Sequence, residues 1–245
     1  MKAIILAAGK GSRIKAVSGD TPKSLLPLGD STLIGSSLRS LWAEGIRDIV
    51  VVTGFKRDKV SQYVRENWSG NVEFVFNPHF DTTNVLYSFW LGMPYLGDTD
   101  FVFLHADTVF EQQVLHQLLQ HQSDDPIAFA VDHHECEEEE MKVKIKDGKV
   151  VQVTKQMDAK TCDGEFLGLA VVRGAQETIR REAEILFEEE AFQSFFEMAV
   201  DRLISVGDLT VSYEDVSGMQ WREVDFEEDY EAARAMAAAL TASHE

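Results

Sequence analysis

A chain of 245 residues with 44% hydrophobic and 27% charged residues has ordinary globular usage, enough for one sizeable α/β domain, which excludes disordered and fibrous architectures. Its net charge of -19 excludes a nucleic-acid backbone as partner, because tracking phosphates requires a basic surface. Two cysteines, Cys136 and Cys162, exclude a disulfide scaffold and fit a reducing cytoplasm, and no apolar run approaches the roughly 18–20 residues of a membrane span.

Lys2 to Leu6 predicts a short buried strand, and the apolar stretch Ala3 to Ala8 is too short for a signal-peptide core. Leu33, Ile34, Leu38, Leu41 and Trp42 recur at helical spacing over 32–44, and Gly45 ends that helix. Strands follow at 48–53, 72–76, 100–104 and 127–131, separated by helices at 57–67, 84–96 and 111–121. This alternation predicts right-handed crossovers onto a mostly parallel sheet, a Rossmann-like three-layer sandwich. After residue 132 the pattern turns β-rich. Lys142–Ile145 and Val150–Thr154 flank an Asp147-Gly148 hairpin signal, and Glu165–Val172 adds another strand. Two helices over 176–204 and a terminal helix at 226–240 complete the chain, with Glu137–Glu140 expected as a solvated loop. The expected organisation is a single domain, with a nucleotide-binding half (1–132) and an acceptor-binding half (133–245).

Charge is divided unequally between these regions. Residues 1–65 hold 11 Lys+Arg against 5 Asp+Glu, whereas residues 66–245 hold 12 against 37. A basic N-terminal quarter on an acidic chain implies a localised anion site. The segment Leu6-Ala7-Ala8-Gly9-Lys10-Gly11-Ser12-Arg13 follows the first strand, where loop amides of an open α/β sheet point outward. Gly9 and Gly11 let backbone N–H groups approach an anion, while Lys10 and Arg13 add charge-assisted bonds. Pro22-Lys23 brings a further cation. Ile14 stands where a dinucleotide fingerprint needs its third glycine, and the Walker spacing is absent.

These residues resemble the sugar-phosphate nucleotidyltransferase superfamily, of the MobA-like NTP transferase kind, whose N-terminal signature L-A-x-G-x-G-x-R followed by P-K is matched by Leu6, Ala7, Gly9, Gly11, Arg13, Pro22 and Lys23. The likeness continues through Glu44–Phe55, Asn77–Trp90, Phe103–Phe110 and Trp221–Ala233. Within the superfamily the chain looks most like cytidylyltransferases acting on phosphocholine, inositol phosphate or aminoethylphosphonate. The resemblance implies transfer of CMP from CTP to a small anionic phosphate or phosphonate acceptor, with Mg²⁺ as cofactor and pyrophosphate as product. It leaves open a hexose-1-phosphate or guanylyl-transferring enzyme, a non-catalytic nucleotide-binding subunit, and a homodimer.

The resemblance assigns roles residue by residue. Asp107, after an apolar strand, and Asp225, before the last helix, are the expected metal carboxylates; a loop or helix-capping role is the alternative for each, with Asp229 less favoured than Asp225. Lys10 and Arg13 are expected on the triphosphate, Lys23 on the reacting phosphates and Lys155 on the acceptor phosphate, unless Lys155 merely ends a hairpin strand in solvent. Gly54, Thr83 and Asn84 occupy the base-reading places. Tyr87, Glu165 and Trp221 are the acceptor candidates; aromatic faces with carboxylates suit an amine, although Tyr87 and Trp90 also have the i,i+3 spacing of core residues. His133, His134 and Cys136 could suggest zinc, but the sequence shows neither a fourth ligand nor a spaced partner pair, so they read as loop residues.

Overall fold

The first strand sets the layering. In the computed structural model, which describes residues 1–242, β1 (Lys2–Ala7) is buried from Ala3 onward and its side chains alternate between two cores. Ile4 and Leu6 face one core; Ala3, Ile5 and Ala7 face the other. A short α1 (Lys15–Ser18) and the hairpin β2 (Pro27–Leu28)/β3 (Ser31–Thr32) lead into α2 (Leu33–Ala43). The Thr32 side chain caps α2 by accepting from the Gly35 N–H at 3.1 Å. Then come β4 (Asp48–Thr53), α3 (Arg57–Asn67), β5 (Asn71–Phe76), α4 (Val85–Leu96) and β6 (Phe101–His105).

The remaining elements are β7 (Thr108–Phe110), α5 (Gln112–Gln120), β8 (Ile127–Asp132), β9 (Lys142–Lys146), β10 (Lys149–Thr154) and β11 (Gly164–Val172), followed by α6 (Gln176–Glu188), α7 (Phe196–Val206), β12 (Val211–Asp215), β13 (Trp221–Glu223) and α8 (Glu227–Ala242). Nine strands form one mixed sheet in the order β5-β4-β1-β6-β11-β8-β12-β10-β9. Helices α2, α3 and α5 cover one face and α4, α6 and α7 the other, which is the expected three-layer sandwich. Parallel pairing runs through β5, β4, β1 and β6; β11 then enters antiparallel to both β6 and β8. Because β11 also pairs with β9, strands β11, β8, β12, β10 and β9 close on themselves. All nine residues of β11 are buried.

The β9/β10 turn has positive φ at both Asp147 and Gly148, as a twisted two-residue hairpin requires. Five strands lay below the sequence signal, two of them the two-residue β2 and β3. In β12 (VSYED) charged residues weaken the apolar alternation, although parallel pairing with β8 places it inside the sheet. Strands β7 and β13 are three residues each and pair only with one another, in antiparallel register from Trp221↔Phe110 to Glu223↔Thr108. Among the described residues no helix is long and apolar enough to cross a membrane.

The core between α4, α7 and β6 is aromatic. Phe196 stacks on Phe103 at 4.2 Å between ring centroids and meets Phe89 edge-on at 5.0 Å. Phe196→Ala is expected to lower the unfolding free energy by about 3–5 kcal/mol, read as a shifted urea midpoint at unchanged slope. A shift worth under about 1 kcal/mol would show that this face is not the close-packed core described.

Candidate active site

The loop leaving β1 turns at Gly11, whose φ of 64° lies in the left-handed region, and the Ile14 N–H closes the turn on the Gly11 carbonyl at 3.2 Å. A Cβ at position 11 would lie 2.7 Å from the Cβ of Lys23, so glycine is needed both for the turn and for the approach of Lys23. Buried Ile14 anchors the loop, while Gly9, Lys10, Ser12 and Arg13 stay exposed around it. On its other side the Ala8 carbonyl accepts from the Phe55 N–H at 3.0 Å, which brings Gly54 beside Leu6–Ala8. Lys10 faces Asp81 at 3.5 Å and the Phe80 ring at 5.4 Å.

Asp107 and Asp225 meet because of the small ribbon. Asp107 precedes β7, Asp225 follows β13, and the Val224 N–H donates to the Asp107 carbonyl at 3.1 Å. Lys23 Nζ lies between the two acids, 2.6 Å from Asp107 Oδ2 and 2.8 Å from Asp225 Oδ1, while Arg13 Nη1 holds Asp225 Oδ2 at 3.1 Å. Capping gives Asp225 and Asp229 different surroundings. Asp229 reaches back from the first turn of α8 to accept from the N–H groups of Asp225 (3.2 Å) and Phe226 (2.9 Å), which leaves the Asp225 carboxylate for the cations.

Burial opposes every charge here, so the shifts report which partners win. For Lys23 burial lowers the pKa, but Asp107 and Asp225 outweigh it and the ammonium is held well above its ordinary range. For Asp225 burial raises the pKa, yet Lys23 and Arg13 hold it below the usual carboxylate value. Glu223, on the same ribbon, has no comparable partner; burial, with Asp107 and Asp225 nearby, pushes it up to about 7. Asp107 Oδ1 and His105 Nε2 are buried with no hydrogen-bond partner, and one ligand atom each of His105, Asp107 and Glu223 lie within 4.8 Å of one another. An orphaned carboxylate oxygen among converging acids is a donor set that suits a hard divalent cation such as Mg²⁺. His105 and Glu223 carry no motif of their own; the end of β6 places the one and the ribbon's register the other.

A cavity of about 870 Å³ opens from this centre, bounded by Asp225, Glu223, Lys155, Trp221, Glu165 and Asp132. Trp221 Nε1 donates to Asp132 Oδ2 at 2.9 Å, which fixes the indole against the wall. Burial, together with Glu140, Glu223 and Asp132 against the opposing Lys155, pushes Glu165 up to about 9. Glu137–Glu140 is the solvent-exposed loop expected, with its backbone gathered by a lysine beneath it. The buried Lys142 Nζ donates to the carbonyls of Glu137 (3.1 Å), Glu138 (2.7 Å) and Glu140 (3.1 Å), so the acidic run forms part of the cavity rim.

Three further candidates are held by contacts outside this cavity. Tyr87 is away from this cavity, packed on Trp90, Phe187 and Phe192 with ring centroids 5.4–6.2 Å apart, so its i,i+3 spacing with Trp90 reflects packing. Asn84 caps α4: its side-chain oxygen accepts from the Val85 N–H at 2.9 Å and its amide donates to the Gln193 carbonyl at 3.3 Å. Thr83 is held by Asn77 and the His79 carbonyl. The polar groups of both side chains are therefore engaged in shaping the loop before α4.

Removing the shared cation would leave two carboxylates facing each other in a partly dry site. Lys23→Met is expected to cost about 1–3 kcal/mol of stability, and added Mg²⁺ to restore more of the variant's melting temperature than it adds to the wild type. An indifferent response of the variant to Mg²⁺ would contradict convergence of the two acids.

The family model for the MobA-like NTP transferase domain matches residues 3–184. Over 92% of its length the chain is 28% identical to the CMP-5'-(3-aminopropyl)phosphonate synthase of Streptomyces rubellomurinus, spanning 37% of that longer protein. It is 24% identical to the CTP:phosphoglutamine cytidylyltransferase of Campylobacter jejuni, covering 94% of this chain and 98% of that one, and 27% identical to the choline-phosphate cytidylyltransferase of Streptococcus pneumoniae, covering 94% and 95%. Among solved structures, the inositol-1-phosphate CTP transferase from T. maritima superposes with a TM-score of 0.82 at 20% identity, over 96% of this chain and 95% of that one, which shows the shared fold.

Proposed function

The chain belongs to the MobA-like NTP transferase domain family, and from that premise we propose that it is a Mg²⁺-dependent cytidylyltransferase that moves CMP from CTP onto a small acceptor carrying a phosphate or phosphonate and an ammonium group. The observation that carries this reading is the meeting of Lys23, Asp107 and Asp225 beside the cationic loop, with an acidic, tryptophan-walled cavity opening directly from them. Cytidine is favoured over other bases by the relatives that are named for CTP or CMP chemistry.

In the proposed reaction an acceptor phosphate or phosphonate oxygen forms a bond to the α-phosphorus of CTP, the bond from that phosphorus to the bridging oxygen breaks, and pyrophosphate leaves with the electron pair. The nucleophile is already an anion, so no strong base is needed, and the protein contributes position and charge. Backbone amides of Gly9–Arg13 with Lys10 and Arg13 hold the triphosphate, and Lys23 faces the reacting phosphates. With the Asn84 amide committed to its cap, the base falls to main-chain groups of Leu6–Ala8 and Gly54, with Thr83 shaping the adjacent loop. Asp107 and Asp225 would hold Mg²⁺, which when bound supplies the positive charge that lets two anions meet. Lys155 serves the acceptor phosphate, while Glu165, Asp132 and the Trp221 face suit its ammonium group. An inositol or hexose phosphate offers hydroxyls and no cation for these carboxylates.

With Mg²⁺, pyrophosphate release is expected from CTP with phosphocholine or an aminoalkylphosphonate, and not from CTP with inositol phosphate or a hexose 1-phosphate. Lys23→Ala and Asp107→Ala should each lose at least about 100-fold in kcat with an unchanged circular dichroism spectrum. Trp221→Ala should raise KM for the cationic acceptor about 10-fold. Turnover confined to uncharged-sugar acceptors would overturn the acceptor assignment, and wild-type turnover in either of the first two variants would overturn the catalytic one.

A further inference from the structure

The far wall of the acceptor cavity brings together what the sequence leaves apart. Strand β8 ends and β11 begins side by side, with Asp132 opposite Glu165, so the segment 133–141 leaving β8 runs against the segment 155–163 entering β11. The two are joined directly: His133 Nδ1 lies 2.6 Å from the Asp163 carbonyl oxygen. The partner on the neighbouring segment is Cys162, whose proximity, after burial, helps push the Cys136 thiol up; the two thiols are unlinked, and each donates to a carbonyl of its own segment, Cys136 to His134 at 3.8 Å and Cys162 to Ala159 at 3.2 Å.

From this geometry we propose a second metal site, specific for a soft divalent ion and best suited to Zn²⁺, formed by His134, Cys136 and Cys162 with Glu140 as the fourth ligand. Ligand atoms of His134, Cys136 and Glu140 all lie within 4.8 Å of one another, and His134 Nε2 is 3.1 Å from Glu140 Oε2. Zinc–sulfur and zinc–nitrogen bonds of about 2.3 and 2.0 Å require ligand atoms about 3–4 Å apart, a contraction within reach of side-chain rotation. The imidazole is already oriented: Nδ1 faces Asp132 Oδ2 at 3.5 Å, and that carboxylate is fixed by Trp221, which leaves Nε2 toward the cluster. Two sulfurs, an imidazole and one carboxylate select zinc over magnesium, whose hard oxygen preference is met instead at Asp107 and Asp225.

The backbone is prepared for such an ion. Three carbonyls of the 137–140 turn are gathered on buried Lys142, which holds Cys136 and Glu140 at the two ends of one fixed turn. Glu165 Oε2 lies 3.5 Å from His134 Nε2, so a dication here would offset a group of carboxylates that has Lys155 as its nearby cation. Binding would release the two thiol protons and tie the cavity wall together at a point separate from the triphosphate centre.

The test uses the full chain purified under reducing conditions and stripped of metal. Zn²⁺ is expected to bind at one equivalent, to survive dialysis and to protect both thiols from a disulfide-exchange reagent. Co²⁺ in its place should give a thiolate-to-metal charge-transfer absorption in the near ultraviolet. That absorption should be lost in Cys136→Ser and in Cys162→Ser, each checked for folding by circular dichroism, and kept in Asp107→Asn. A cobalt spectrum without thiolate absorption would overturn the site, as would loss of the metal in Asp107→Asn but not in the cysteine variants. Ready oxidation of Cys136 and Cys162 to a disulfide in the presence of saturating Zn²⁺ would equally overturn it. Thiol protection in the wild-type protein decides the matter if a cysteine variant does not fold.

Discussion

One ammonium between two carboxylates organises this molecule. Lys23 comes from a turn after the cationic loop, Asp107 from the end of a central parallel strand, and Asp225 from the segment before the last helix. Each charge alone would be costly in a partly buried centre, and the two acids together costlier still. The β7/β13 ribbon supplies the geometry, because its register brings the Asp107 and Asp225 backbones side by side, where both carboxylates reach Lys23. Gly11 supplies the space, since any side chain there would displace the lysine.

Around that centre the unequal charge of the chain acquires a structural meaning. The basic N-terminal quarter contributes the loop bearing Lys10 and Arg13, and the acidic remainder contributes the walls of the adjoining cavity. A strongly anionic nucleotide and a zwitterionic acceptor would thus enter regions of opposite sign that meet at Lys23. Closure of β11, β8, β12, β10 and β9 into a ring gives the acidic half a frame, from whose rim the segments 133–141 and 155–163 emerge together.

Much of this was legible from residue order. Strand-helix alternation gave the layers, and Gly9, Gly11, Arg13, Pro22 and Lys23 marked the loop because their chemistry is local and their spacing short. Asp107 and Asp225 were found through a resemblance, and their convergence depends on strands of three residues, too short to leave a periodic signal. The same reason hid Glu223, whereas His105 ends the expected strand β6 without a motif to mark it. Asn84 and Tyr87 each carry a second role that the sequence could not separate: the amide that suits a base also caps a helix, and the ring that suits an ammonium also fills an aromatic cluster. Glu137–Glu140 is exposed as its composition implied, while the burial of its organiser, Lys142, was hidden because that residue reads in sequence as an ordinary strand lysine. Cys162 escaped notice for want of a nearby partner, since only antiparallel pairing of β8 and β11 brings it to Cys136.

The most direct test of the central claim is an anomalous-scattering crystal structure with Mn²⁺ and a non-hydrolysable CTP analogue. The account predicts a manganese peak bound jointly by Asp107 and Asp225, with the analogue's phosphates against Gly9–Arg13 and Lys23. A nucleotide bound at another face, or manganese held without either aspartate, would contradict it.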